Sequence, residues 1–103
     1  MATTRKQPIT LPQAIREAMR VGLSSFEPHS DVITIGHAYE AVGLLRARVE
    51  SEMPALIASH GPLGSSAVRA ELRRRYRQLG QDLAAEAVEK SRKPPSAEVT
   101  SSS

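Results

Sequence analysis

The side chains that could do chemistry here are three histidines, some glycine-flanked serines, two near-neighbour carboxylates and a run of arginines. His29, His37 and His60 fall in a loop, at a helix start and at a helix end. A metal needs ligands converging at fixed distances, and the chain has neither an H-x-x-x-H nor an HExxH spacing. His60, just before Gly61, reads instead as a residue suited to the negative end of a helix dipole. The serines stand in caps, loops and the tail, never in a G-x-S-x-G elbow. "GPLGSS" (61–66) sets two glycines before a helix, but it lacks the lysine of a phosphate loop and reads as a helix-start turn. Glu50 and Glu52 do not share a helix face. With no cysteine in the sequence, disulfides, thiolate zinc sites and cysteine nucleophiles are excluded. No enzyme, metal or cofactor reading survives.

What remains is charge. Arg69, Arg73 and Arg77 stand four apart on one helix face, flanked by Arg74 and Arg75. Three readings are open: phosphate contact, pairing with an acidic protein surface, or a solvated face neutralised within the helix, since Glu71 can reach Arg75. No tight helix-turn-helix spacing precedes the run. A basic nucleic-acid-binding regulator therefore stands as the alternative to a protein-binding reading. The net charge of +3 permits an acidic partner without demanding one.

The elements that must carry these residues are helical. A helix over about 10–22 is signalled by Thr10 as N-cap, Pro12 in the first turn and Gln13 completing a capping box. Leu11, Ala14, Ile15, Ala18, Met19 and Gly22 share its apolar face, and Gly22 is the expected stop. Residues 24–32 lack a helical period and read as a connection. "VITI" (32–35) has strand propensity but no partner strand. A second helix covers about 34–58, with Thr34 as cap and Pro54 expected to kink or end it near Met53. The "HGPLG" break follows, then a third helix over about 66–91. Its Val68, Leu72, Tyr76, Leu79, Leu83 and Ala87 are spaced 4-4-3-4-4, close to a coiled-coil seam. Gly43 and Gly80 inside the long helices could permit close helix approach. Residues 1–8 read as a loose arm and 93–103 as a disordered tail.

The expected architecture is one all-α domain over 9–92: a long antiparallel helical hairpin with a short N-terminal helix. Apolar residues make up 40% of the chain but aromatic residues only 3%, so the core is volume-poor, and self-association into a helical bundle is expected to complete it. The homodimer seam is expected to hold Tyr39, Val42, Val49, Leu72, Tyr76, Leu79 and Leu83. Leu23, Phe26 and Ile33 give the first connection unusual apolar content. They either fold back as anchors or, with Arg73 and Arg77, form a partner-binding patch. No segment approaches ~18 uninterrupted apolar residues and the N-terminus lacks a secretory apolar run, so a cytoplasmic protein without membrane contact is expected.

"SDVITIGHAYEAVGLLRARVESEMPAL", the "HGPLG" break and the long last helix together resemble the small quorum-sensing anti-activators. The "ITI" entry (33–35) into a long helix that stops near a proline is similar to TraM-type proteins. The leading helix and basic last helix are closer to the QslA type, which acts on LasR-like receptors. The resemblance covers roughly residues 30–90 and rests on pattern, with no catalytic signature. It implies a compact helical dimer that binds a LuxR-type transcription factor, at its ligand-binding domain, and blocks its dimerisation and promoter binding. The basic third helix and the extra leading helix depart from the TraM pattern, and no single contact residue is carried over.

Overall fold

The computed structural model describes residues 8–92 as an all-α fold. Helix α1 spans Leu11–Ser24, α2 spans Ile35–His60 and α3 spans Ser65–Arg92, with single 3-10 turns at Glu27–His29 and Gly61–Leu63. The expected arm, apart from Pro8, and the expected tail lie outside the described residues.

Local chemistry sets the helix starts. The Gln13 amide donates to Thr10 Oγ1 (3.3 Å) and the Thr10 amide to Gln13 Oε1 (3.0 Å), the reciprocal capping box. Thr34 opens α2 by a different device. Its amide donates to Ser91 Oγ of α3 (3.0 Å), and its hydroxyl lies 2.8 Å from His37 Nδ1. His37 Nδ1 is also 3.2 Å from Ser91 Oγ, so the open end of the hairpin is laced shut by three polar side chains. At the closed end Gly64 adopts φ +111°, a backbone state that costs glycine nothing, and turns the chain into α3.

Two expected boundaries move. α2, expected over about 34–58 with a kink or end at Pro54, runs as one helix through Pro54 to His60. Pro54 is exposed, so the Glu50 carbonyl that loses its amide partner faces water, while Met53 and Leu56 stay in the core. Gly22 does not stop α1, which continues to Ser24. Gly22 is buried at a helix crossing instead.

That crossing organises the packing. A Cβ added at Gly80 would lie 2.9 Å from Gly22 Cα, so α1 and α3 meet backbone to backbone. Glu17 meets Arg69 and Arg73 while Gly22 meets Gly80, which makes α1 run parallel to α3. α2 runs antiparallel to both, because Glu52 meets Tyr76 and Thr34 meets Ser91. α1 thus lies along the half of the hairpin nearest its turn. The connection from Ser25 to Thr34 then travels from the level of Gly80 to that of Ser91, a span of about 16 Å along α3 at 1.5 Å per residue. It lays Phe26 and Ile33 against the core on the way.

One chain therefore closes its own core, and the expected seam is corrected. Val49, Leu72 and Tyr76 have no exposed surface and Leu83 is buried, all within a single chain. They face α1, α2 and α3 of the same molecule, because the leading helix supplies the wall that the sequence reading assigned to a second copy. Val42 and Leu79 are half-buried and Tyr39 is exposed.

The two long-helix glycines should respond with opposite signs. At Gly43 an added Cβ meets nothing within 4 Å, so Gly43→Ala is expected to stabilise by roughly 0.5–1 kcal/mol through helix propensity. Gly80→Ala drives a methyl into the Gly22 backbone and is expected to destabilise by about 1–3 kcal/mol despite the same propensity gain. Urea unfolding of both variants measures the difference; equal shifts would contradict the crossing.

Candidate functional site

The arginine run is mostly spoken for inside the molecule. Glu17 of α1 receives Arg69 Nε at 3.0 Å and Arg73 Nη2 at 2.9 Å. Glu71 receives Arg74 at 2.8 Å and Arg75 at 3.3 Å, the second being the pairing expected within the helix. Glu52 of α2 receives Arg48 Nε at 2.9 Å and the Tyr76 hydroxyl at 3.0 Å, with Arg75 3.8 Å away. Of the five clustered arginines, Arg77 is the one with no ion pair among the described residues. Arg73, expected to meet a partner, is committed to fastening α1.

These contacts move the titrations. Partial burial pushes Glu17 upward, but the hydrogen bonds and charges of Arg69 and Arg73 outweigh it and hold the carboxyl below its ordinary range. The Arg48 hydrogen bond is the main cause holding Glu52 low, against partial burial and with Tyr76 and Arg75 assisting. The Arg74 hydrogen bond does most to lower Glu71. Tyr76 moves the other way: burial, then the hydrogen bond to Glu52, push its phenol up to about 12.

The expected partner patch divides. Ile33 is buried, and Leu23 and Phe26 are half-buried with their side chains packed on the core. Ile33 therefore acts as an anchor of the connection and is withdrawn from the partner surface, because the closing loop needs an apolar foot. Exposed apolar side chains cluster a few residues further on, where Val32 is 51% exposed and Ile35 and Tyr39 are each 75% exposed, while Leu44 and Leu63 are exposed singly elsewhere. Neither Ile35 nor Tyr39 has the burial its type ordinarily finds. The sequence placed Tyr39 on the apolar stripe of the second helix. Ile35 lies about five full turns before Met53 and shares its helix angle, but α1 packs against α2 at the level of Leu45 through Gly22, so the first turns of α2 extend beyond the core that Leu45, Val49 and Met53 occupy.

A second feature lies beside α1. Leu11, Pro12, Ile15 and Met19 with Arg16 and Arg46 line a depression between α1 and α2, and Met19, Leu23, Arg16 and Arg20 continue it toward Glu27. Arg16 and Arg20 form the crest of α1 between this depression and a polar one, which Gln13 and Glu17 line with them against Arg69 and Arg73 of α3. Sequence spacing puts Arg16 and Arg20 on the face of α1 away from its apolar residues. Their alignment with Arg46 could not be read there, because it depends on how α1 is seated.

Among the described residues no three His, Asp or Glu side chains converge on a metal position, and no helix is long and apolar enough to cross a membrane. Comparison with family models, with curated proteins and with solved structures returned no match.

The shifted groups define a pH profile. The three lowered carboxylates contribute stability that is present above their ordinary 4.5 and is lost as pH falls below it. Tyr76 has a raised folded value, so its contribution is complete below about 10 and is lost as pH rises toward about 12. Tyr76→Phe is expected to abolish that alkaline loss while costing roughly 1 kcal/mol at neutral pH for the missing hydrogen bond to Glu52. Thermal melting from pH 8 to 12, wild type against variant, reads both effects.

Proposed function

We propose that this chain is a non-catalytic, protein-binding regulator of the quorum-sensing anti-activator kind, acting in the cytoplasm on a LuxR-type transcription factor. The observation that carries the protein-binding part is the pair Ile35 and Tyr39. Both stand three-quarters exposed on the first turns of a long helix, beside a core that the same chain has already filled. Apolar side chains left out of a completed core are what an interface uses, and aromatic residues supply much of the binding energy there. Resemblance in the order of helices supports the LuxR-type target.

The mechanism needs no chemistry. A receptor that grips DNA as a dimer loses that grip when a competitor covers its ligand-binding domain, and the loss scales with competitor concentration over its dissociation constant. The resemblance also implies a homodimer. Its seam would draw on Tyr39, Val42 and Leu79, the expected seam residues that keep exposed surface, and sedimentation of the free chain measures it directly. The internal neutralisation of Arg69, Arg73, Arg74 and Arg75 favours protein over nucleic acid, since a carboxylate already holds each guanidinium.

Tyr39→Glu with Ile35→Glu is expected to abolish co-elution with a purified LuxR-type ligand-binding domain while leaving the melting temperature within a few degrees of wild type. Both side chains are already in water, and surface changes of this kind usually shift stability by about 0.5 kcal/mol or less. Undiminished co-elution would refute the placement. A gel shift with duplex DNA that weakens steeply as salt is raised and is lost in Arg77→Ala would favour the nucleic-acid alternative.

A further inference from the structure

We infer that the depression between α1 and α2 is a docking groove for an acidic amphipathic helix. The inference rests on the protein-binding reading above but not on the identity of the receptor.

Leu11, Ile15, Met19 and Leu23 recur every four residues along α1 and line this side of it. At 1.5 Å per residue they mark out a track of about 18 Å, some three helical turns. Leu11 is 40% exposed, Ile15 and Leu23 are half-buried and Met19 is buried beneath them, so Leu11, Ile15 and Leu23 present the track's apolar surface to an incoming chain. Apolar anchors at i, i+4 and i+7 on a partner helix match such a track.

The rim selects the sign of that partner. Arg16 and Arg20 stand along α1 and Arg46 stands on α2, with Glu27 the acid among the lining residues. None of the three arginines has an ion pair among the described residues. That contrasts with the α3 cluster, where the guanidinium groups of Arg69 and Arg73 are held by Glu17. Free guanidinium groups beside an apolar floor suit carboxylates flanking an apolar stripe, through charge-assisted hydrogen bonds.

The groove also runs into the exposed patch. Ile35, Tyr39, Val42 and Arg46 fall within about 60° of one another around α2 at 100° per residue. Arg46 lines the groove, so the face that carries Tyr39 and Ile35 is the one bordering it. The apolar floor of α1 and the exposed turns of α2 form one side of the molecule, with arginines along its edge. A nucleic acid would gain little from that floor, which offers aliphatic side chains and no exposed aromatic stacking platform along α1.

The test uses the full chain and two synthetic helical peptides. Both carry leucines at i, i+4, i+7 and i+11; one is flanked by glutamates, the other by lysines. Fluorescence anisotropy is expected to show micromolar binding of the glutamate peptide and at least about tenfold weaker binding of the lysine peptide. Arg16→Glu with Arg46→Glu should reverse that preference, with circular dichroism confirming an unchanged helical fold. Equal affinities for the two peptides, no binding of either, or a preference unmoved by the charge swap would overturn the inference. So would duplex DNA binding that the swap abolishes, or a homodimer that the swap dissolves. Receptor co-elution is scored separately through Tyr39→Glu, so a failed groove and a failed receptor assignment give different results.

Discussion

The backbone contact between Gly22 and Gly80 is the constraint on which the rest of the structure depends. A helical glycine sacrifices roughly 1 kcal/mol of propensity, so two of them at one crossing, Gly80 against the Gly22 backbone and Gly22 against Leu45 of α2, need a return. The return is the seating of α1: only without side chains at the crossing can a 14-residue helix sink far enough to bury Ala14, Ala18 and Met19 against the hairpin. Full burial of one side chain of methionine size is worth about 1.5–3 kcal/mol and each buried methyl or methylene about 0.8, so Met19 together with Ala14 and Ala18 outweighs the cost of the two glycines. With α1 in place the core needs no second chain. The apolar side chains that stay exposed, Ile35 and Tyr39 among them, stand outside that core.

Electrostatics fixes the rotation and level of α1 once the glycines allow its approach. Glu17 lies on the flank of α1 that faces α3, between two guanidinium groups one turn apart. Each pair is partly exposed and individually weak. Their value is geometric, because a one-residue slip of α1 would lose both pairs and unseat Gly22 from Gly80 together. Glu52 does the same for α2 against α3 by holding the buried Tyr76 hydroxyl, the one polar atom that a fully buried tyrosine must satisfy. The arginine-rich helix is thus tolerated because three glutamates from three helices neutralise most of its inner edge.

Much of this was legible in the sequence, for reasons that are local. The Thr10–Gln13 capping box, the break at Gly61–Gly64 and the apolar period of the last helix all depend on neighbours within a turn or two. So did the pairing of Glu71 with Arg75. What the sequence could not show depends on partners more than fifty positions away: Glu17 with Arg69 and Arg73, Thr34 and His37 with Ser91. That α2 continues past Pro54 is not legible locally, because the cost of an internal proline depends on whether the freed carbonyl can face water, which is a tertiary fact. The apolar stripe of α3 was read correctly as an interface and assigned to the wrong partner. Periodicity reports that a face is covered but carries no information on whether the cover comes from the same chain.

That ambiguity also explains why the surface residues were the hardest to place. Phe26 and Ile33 look like a patch from composition, yet a connection that must travel the outer half of the hairpin needs apolar feet, and these two residues are the ones it uses. Ile35 and Tyr39 look like core from periodicity, yet α1 is too short and seated too near the turn to reach them. The geometry of one short helix therefore decides both outcomes. Had α1 been two turns longer, Tyr39 would have had a cover within the chain. Its length leaves the start of α2 open, and Arg16, Arg20 and Arg46 give that opening a sign. A helical protein can leave an apolar face open in this way without any residue specialised for it, by ending a covering helix before the surface it would cover.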